Sequence, residues 1–170
     1  MPFKIPDSWV WCRLGDIITL ISGQDLTTNE YNSIHNGIPY ITGASNIEHG
    51  NVIINRWTDS PKSISYKGDL LITCKGTVGL MAFLSAEQAH IARQIMAIRS
   101  QIINLEYIMI FLRANLTNLQ SQAKSMIPGI ARENILDATI PLPPIKEQKR
   151  IVEKVNSLDA LINNLFELIA

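Results

Sequence analysis

The sequence predicts an α/β fold: a small globular domain with a curved β-sheet and flanking helices, followed by a long C-terminal coiled-coil helix. Short runs rich in β-branched residues follow one another between residues 38 and 98. Apolar residues recur at helical spacing over residues 105–122. From Ile151 onward they recur at alternating intervals of four and three, the pattern of a coiled-coil seam.

The composition indicates a folded protein that does not act through charge alone. With 46% hydrophobic and 18% charged residues, the 170-residue chain has room for one domain and an appendage. Lys and Arg together number 15, as do Asp and Glu. This balance argues against a protein that coats nucleic acid by charge alone, although a neutral protein can read DNA if its cations share one face. No apolar stretch is long enough for a membrane span or signal peptide, so we expect a cytoplasmic protein.

The first half of the chain is predicted to be mostly β. Residues 5–17 suggest a short strand or docking arm, residues 17–21 a helix or strand that Ser22 and Gly23 end, and residues 24–37 a loop. Strands are then predicted in a single compact sheet. They cover residues 38–42, 51–56, 70–74, 78–84 and 91–98.

Two helices are predicted in the second half. Residues 105–122 form the first, with Asn104 as its cap. Three prolines within residues 141–144 then forbid a helix and stiffen the chain into a connector. We therefore divide the chain into a globular domain, residues 1–142, and a spacer or dimerisation helix, residues 143–170.

The C-terminal helix presents an apolar seam. Its residues are Ile151, Val155, Leu158, Ile162, Leu165 and Ile169. Such a seam either docks on a partner, which we favour, or packs on the helix's own sheet. Because the chain stops inside the apolar pattern without a stop signal, we expect a fragment or a naturally half-sized protein.

Three segments resemble type I restriction-modification specificity subunits. Residues 140–155, Ile-Pro-Leu-Pro-Pro-Ile-Lys-Glu-Gln-Lys-Arg-Ile-Val-Glu-Lys-Val, closely resemble the join between target-recognition domain and spacer helix. Residues 5–17 are similar to the opening segment of that family, and residues 67–73 with 76–79 continue the likeness. Residues 24–58 match loosely, as expected if target-reading loops differ between members.

The resemblance implies a DNA-recognition subunit without catalytic activity and without a cofactor. Such a subunit reads one half of a bipartite double-stranded DNA target and docks methyltransferase (modification) subunits and, through them, the restriction subunit. A second specificity half, or a second copy in a homodimer, would pair through the C-terminal helix. Alternatives are the recognition end of a fused restriction endonuclease or methyltransferase, and a coiled-coil protein-interaction module.

Candidate DNA-contacting side chains lie in four places. They are Thr42, Ser45 and Asn46 after one strand, Lys75 and Thr77 between two strands, Arg93 and Gln94 within an apolar run, and Lys124 and Arg132 beside a Pro-Gly turn. Arg, Lys, Asn, Gln and Thr offer the donors, acceptors and methyl groups that base edges and phosphates require. The alternatives are ordinary turns, solvated loop charges and, for Arg93, a surface ion pair.

No catalytic or metal site is predicted. His35, His49 and His90 lack the spacing of a metal site or a triad, and Cys12 and Cys74 are expected to be reduced thiols. We expect Trp9, Trp11 and Trp57 to pack in the core or an interface rather than stack on bases.

Overall fold

The computed structural model describes residues 3–121 and 129–169 and confirms the α/β class. The strands are β1 (Val10–Arg13), β2 (Thr19–Ser22), β3 (Ile38–Ile41), β4 (Ile47–Glu48), β5 (Asn51–Val52), β6 (Trp57–Thr58), β7 (Ile64–Tyr66), β8 (Leu70–Thr73), β9 (Met81–Phe83), β10 (Gln88–Ile91), β11 (Ile95–Arg99) and β12 (Thr139–Leu142). The helices are α1 (Leu105–Ala114), α2 (Leu116–Ser121), α3 (Arg132–Leu136) and α4 (Ile145–Ile169), with short 3-10 turns at Leu14–Asp16 and Ala44–Asn46.

The strands form several sheets rather than the single predicted one. In the described residues, one four-stranded sheet has the order β2-β11-β8-β9 and another the order β6-β3-β10-β7. Pairs β1-β12 and β4-β5 lie apart from them. All neighbouring strands are antiparallel except β3 and β10, which run parallel.

The predicted strand over residues 91–98 is wrong. The chain turns after β10, where the Ile95 N–H donates to the Ala92 carbonyl at 2.9 Å, and β11 begins in the other sheet. Arg93 and Gln94 therefore lie in a turn that joins the two sheets. The sequence hides this break because the residues on either side of it are apolar and buried.

Strands β8 and β11 separate two hydrophobic cores. Met96 and Ile98 face the core that contains α1, α3 and the base of α4, whereas Ile95 and Ala97 face the core beneath the β3-β10 sheet. Burial on both faces requires apolar residues at every position rather than at alternate ones. This accounts for the continuous apolar runs in the sequence.

Two further predictions from the sequence need correction. Only Asn51–Val52 of the predicted strand over residues 51–56 is a strand, and the next strand begins at Trp57. The predicted helix over residues 105–122 is interrupted at Asn115, whose side-chain amide donates to the Phe111 carbonyl at 2.8 Å. An amide that competes for a helical carbonyl in this way favours a helix end. The predicted cap is confirmed, since the Asn104 side chain accepts from the Glu106 N–H at 2.8 Å.

The proline-rich join is packed into the domain. β12 pairs with β1, and the Tyr107 hydroxyl donates to the Pro141 carbonyl at 2.5 Å. At the base of α4 the buried Gln148 side chain donates to the Pro143 carbonyl (2.9 Å) and accepts from the Asn104 N–H (3.0 Å). Val152 is buried against the same core. These contacts fix the direction in which α4 leaves the domain.

A buried ion pair closes the end of the sheets where β7 turns into β8. Both carboxylate oxygens of Asp69 accept from the Arg99 guanidinium, at 2.8 Å and 2.6 Å. One oxygen also accepts from the Ser65 hydroxyl and the Tyr66 N–H. Asp69 is buried, and the Arg99 guanidinium lies 4.8 Å from the centre of the Tyr66 ring. Asp69 therefore organises this turn, a structural role that its charge alone does not reveal.

None of the helices in the described ranges combines the length and the apolar character needed to cross a membrane.

Candidate nucleic-acid interface

The sheet registers bring most of the candidate residues to one end of the molecule. Ile41 pairs with Ile91, so the parallel strands β3 and β10 end together. In the other sheet, Ile95 at the start of β11 pairs with Thr73 at the end of β8. The segments that leave these strand ends are residues 42–45, 74–77 and 92–94. We call this end, together with residues 53–56 and 129–132 beside it, the loop face.

Direct contacts join the segments of the loop face. The Cys74 N–H donates to the Gln94 carbonyl at 2.8 Å, and the Cys74 carbonyl accepts from the Ile130 N–H at 3.0 Å. A Cβ placed on Gly43 would lie 3.6 Å from the Cβ of Gln94. Segments far apart in sequence thus form one continuous surface on a rigid scaffold.

The structure removes Asn46 from the candidate set. Its side chain is fully buried, and its carbonyl oxygen accepts from the Thr42 N–H (2.9 Å) and the Thr42 hydroxyl (2.8 Å). Its amide donates to the Ile53 carbonyl at 2.7 Å. Asn46 therefore shapes the loop from inside, because an asparagine amide can satisfy several backbone groups at once. Ser45 is exposed, whereas Thr42 is half-buried and engaged with Asn46.

Lys75 and Thr77 lie on an open loop between β8 and β9. Both are exposed, and a Cβ placed on Gly76, which has a φ of 73°, would meet nothing within 4 Å. The buried Thr73 closes the loop, since its hydroxyl accepts from the Leu80 N–H at 2.9 Å and its carbonyl accepts from the Gly79 N–H at 2.8 Å. Within the described residues the Lys75 ammonium has no acidic partner.

The other three cationic candidates, Arg93, Arg132 and Lys124, differ in the partners of their charged groups. Arg93 forms an ion pair with Asp25 at 2.7 Å, the alternative that the sequence left open. Arg132 donates to the Leu20 carbonyl (2.7 Å) and the Ser22 hydroxyl (3.1 Å), both neutral groups, so its charge is not compensated by these contacts. Lys124 lies outside the described residues.

Sequence reasoning missed Asn55, Arg56 and Tyr31. The Arg56 carbonyl accepts from the Tyr40 N–H at 2.8 Å, which brings residues 55 and 56 alongside the end of β3. The Arg56 guanidinium lies 5.1 Å from the centre of the Tyr31 ring, and Asn55 and Arg56 are exposed. The sequence predicted an ordinary strand at residues 55 and 56. Only the pairing of distant segments places these residues at the loop face.

His90 supports the loop face from below. It is buried, its Nε2 lies 2.8 Å from the Gln24 carbonyl, and its Nδ1 lies 3.1 Å from the Ser63 nitrogen. Burial lowers the pKa of His90, and the positive charge of Lys62 adds to this shift. The shift is opposed by hydrogen bonds to Gln24 and Ser63 and by the negative charge of Asp25. Nδ1 also lies 2.9 Å from the Ser63 carbonyl, so its role depends on the tautomer, whereas Nε2, which faces the Gln24 carbonyl, is placed to donate.

We expect acid to weaken the fold through His90. Because the pKa of His90 is lower in the folded state than in the unfolded chain, the unfolded state binds the proton more readily. The stabilising contribution of neutral His90 is thus complete above the unfolded pKa and declines as the pH falls below it. The urea midpoint of the wild-type chain should drop between about pH 7.5 and about pH 5.5.

A His90→Gln variant supplies the control for this titration. Glutamine retains a donor and an acceptor but does not titrate in this range. Its urea midpoint should be lower at neutral pH and should fall less on acidification than that of the wild type. Parallel curves for both proteins would assign the acid sensitivity to other groups.

The described residues contain no group of three or more His, Cys, Asp or Glu side chains placed to hold a metal ion. Burial raises the pKa of the Cys74 thiol, with the positive charge of Lys75 opposing the shift. A thiol with a raised pKa carries little thiolate and is a poor nucleophile.

Helix α4 carries a second exposed surface, at the far end of the helix from its buried base. Ile151 packs on the α1 core and Val155 is half-buried. Beyond them large apolar side chains are exposed. These are Leu158 (46%), Leu161 (59%), Ile162 (49%), Leu165 (61%) and Phe166 (65%). We call them the distal seam; the side chain of Ile169 is outside the described residues.

Exposed loops on a rigid two-sheet scaffold, with a projecting helix whose base is locked to the domain, define a recognition domain. Residues 6–169 match the family model described as the type I restriction modification DNA specificity domain. The chain belongs to this family.

Curated relatives are specificity subunits of type I restriction enzymes. The putative MjaX specificity subunit of Methanocaldococcus jannaschii is 26% identical over 168 residues, covering 94% of this chain and 38% of the relative. The EcoEI specificity subunit of Escherichia coli is 25% identical over 192 residues, covering 96% of this chain and 30% of the relative. The chain thus spans 38% of the length of the first relative and 30% of the second.

Solved structures show the same fold. The HsdS subunit from Thermoanaerobacter tengcongensis superposes with a TM-score of 0.89 at 25% identity, over 99% of this chain and 42% of that one. A chain from a structure on complex assembly and conformational transition of the type I restriction-modification system gives a TM-score of 0.84 at 25% identity, over 96% of this chain and 41% of that one.

Proposed function

We propose that this chain recognises one part of a double-stranded DNA target in the cytoplasm and carries out no chemistry, as a target-recognition unit of a type I specificity subunit. The observation that carries this proposal is the convergence of separate polar segments on the loop face. Base edges in the major groove are read by side chains that project from a fixed scaffold. The description of the matching family model, a DNA specificity domain, supports DNA as the ligand.

The loop face offers cations for phosphate contacts as well as polar groups for bases. Lys75 and Arg132 have no acidic partner among the described residues. Arg93 is paired with Asp25 and is suited to positioning its turn. Phosphate contacts set register and affinity, whereas neutral side chains such as Ser45, Thr77 and Gln94 are suited to reading bases.

We propose a second copy of this chain as the occupant of the distal seam. Within the distal seam, Leu158, Ile162 and Leu165 keep the four-three spacing of helix pairs. Asp159 is the one charged residue between Leu158 and Phe166, and Glu167 follows Phe166 directly. Five large exposed apolar groups on a projecting helix are expected to pair. Because the chain covers 42% of the HsdS chain, a pair of copies would approach the size of one complete subunit.

We further propose that the paired assembly docks modification subunits and, through them, the restriction subunit. A solved structure that concerns assembly of the type I system contains a chain with this fold and supports this proposal. Association of the chain with modification subunits in the absence of self-pairing would identify those subunits as the occupant of the distal seam.

A Lys75→Ala variant is expected to bind duplex DNA about 5-fold more weakly than the wild type at low salt. One lost phosphate contact should also reduce the slope of log affinity against log salt by about one. Arg132→Ala should behave similarly. Fluorescence anisotropy with a mixed-sequence duplex, at several salt concentrations, measures both quantities.

Lys67→Ala is the matched control. Lys67 is an exposed lysine at the opposite end of the sheets, where it pairs with Glu87 at 2.6 Å. Its removal should leave affinity and salt slope unchanged. The proposed function fails if the wild-type chain binds no duplex at low salt, and the assigned face is wrong if Lys67→Ala weakens binding as much as Lys75→Ala.

A further inference from the structure

Gln94 is an anomaly of the loop face. Its Oε1 atom is buried and has no hydrogen-bond partner within the part of the chain that the structure describes. No other buried side-chain nitrogen or oxygen of the described residues is unpaired in this way. A buried acceptor without a donor destabilises a fold, so such a group calls for an explanation.

The backbone around Gln94 is fixed, while its side chain is not. The Gln94 carbonyl accepts from the Cys74 N–H at 2.8 Å, and the turn is closed by the bond from Ile95 to Ala92. On the side of Gly43 the stem of Gln94 meets a residue without a side chain, and a Cβ there would contact the Gln94 Cβ and Cγ at 3.6 Å and 3.9 Å. No hydrogen bond from the described residues holds the Gln94 Oε1 atom in its inward position.

The surroundings of Gln94 suit a base contact. Arg93 precedes it, and Lys75 directly follows Cys74, to whose N–H the Gln94 carbonyl is bonded. Lys75 would contact a phosphate while the Gln94 amide reaches into the groove, and Arg93, paired with Asp25, would hold the turn. A glutamine amide offers one acceptor and one donor, which match the N6 amino group and N7 of adenine in the major groove.

We propose that Gln94 is a specificity-determining residue that turns outward and reads an adenine when the loop face meets DNA. Rotation exchanges a buried, unpartnered oxygen for one bonded to the base. The inference rests on the proposed function and names the residue and base chemistry through which that function is exerted.

The test is a selection from a randomised double-stranded DNA library with the full 170-residue chain. The wild-type motif should contain an A·T pair at which Gln94→Leu loses preference by about 5- to 100-fold, with the other positions unchanged. Gln94→Glu, which only accepts, should shift the same position toward C·G.

Thermal melting separates this role from a structural one. Because Gln94→Leu removes a buried unpaired acceptor, its Tm should equal or exceed that of the wild type, by up to about 4 °C. A lowered Tm together with a uniform loss of affinity would show a structural role and overturn the proposal. A selected motif that neither Gln94 variant changes would also overturn the proposal about Gln94, but it would leave the proposed function intact. A wild-type chain that retains no duplex at low salt overturns both.

Discussion

Replacing Leu158 and Ile162 together with glutamate is expected to abolish self-association of the chain. Both side chains are about half exposed on the distal seam and would be buried between two helices in a pair. Two carboxylates in an apolar contact each cost several kcal/mol unless they find partners. The dissociation constant should rise by about 1000-fold or more, measured by sedimentation equilibrium or by light scattering after size exclusion.

The matched control places the same charges, four residues apart, on the other side of the same helix. Asn156 and Ala160 are exposed and lie away from the distal seam, so Asn156→Glu with Ala160→Glu should leave association unchanged. The melting temperature of both double variants should stay near that of the wild type, because the packed part of α4 ends near Val152. Equal association by the seam variant and the wild type would exclude the distal seam as the pairing surface. A wild-type chain that is monomeric at high concentration would exclude a second copy as its occupant.

Asp69→Asn is expected to destabilise the domain by about 2 to 4 kcal/mol. The substitution leaves the Arg99 guanidinium without its carboxylate and weakens the contacts from Ser65 and the Tyr66 N–H. The Arg99 side chain is one-third exposed, so water offsets part of the loss and keeps the expected value below that of a fully buried pair. A drop in Tm of about 5 to 15 °C, followed by circular dichroism, should result.

Glu87→Gln provides the comparison, since it makes the same carboxylate-to-amide change beside the same turn. The pair of Lys67 and Glu87 is largely exposed, with 60% and 82% of the two side chains accessible. Exposed pairs contribute little to stability, so this variant should melt close to the wild type. Similar melting temperatures for Asp69→Asn and the wild type would refute the organising role given to Asp69.

Local patterns in the sequence were sufficient for several elements. The helical cap at Asn104 and the proline-rich connector before α4 depend on residues close together in the chain. The periodicity that predicts α4 is also local, because a helix places every third and fourth residue on one side. The family resemblance rested on the same segments, and the family match confirms it.

Other features depend on contacts that sequence spacing does not encode. The sequence did not reveal the break between β10 and β11, because the strands on both sides of it are apolar and buried. The break occurs where the chain passes from one four-stranded sheet to the other. Asn46 was assigned to the surface from its polar character, but the folded loop surrounds it with partners. Arg56 was not among the predicted DNA-contacting residues, because only strand pairing places it beside the end of β3.

Residue types at short, regular intervals were enough to predict the α/β class and the amphipathic C-terminal helix, and the resemblance of three segments indicated the family. The packing of the folded chain was needed to show which polar residues share the loop face, which are buried, and how much of α4 remains exposed. The physical reason is that a side chain's surroundings are set by segments distant in the chain. Gln148 illustrates this, since it bonds not only to nearby Pro143 but also to Asn104, which is 44 residues away, and this contact holds α4 against the domain.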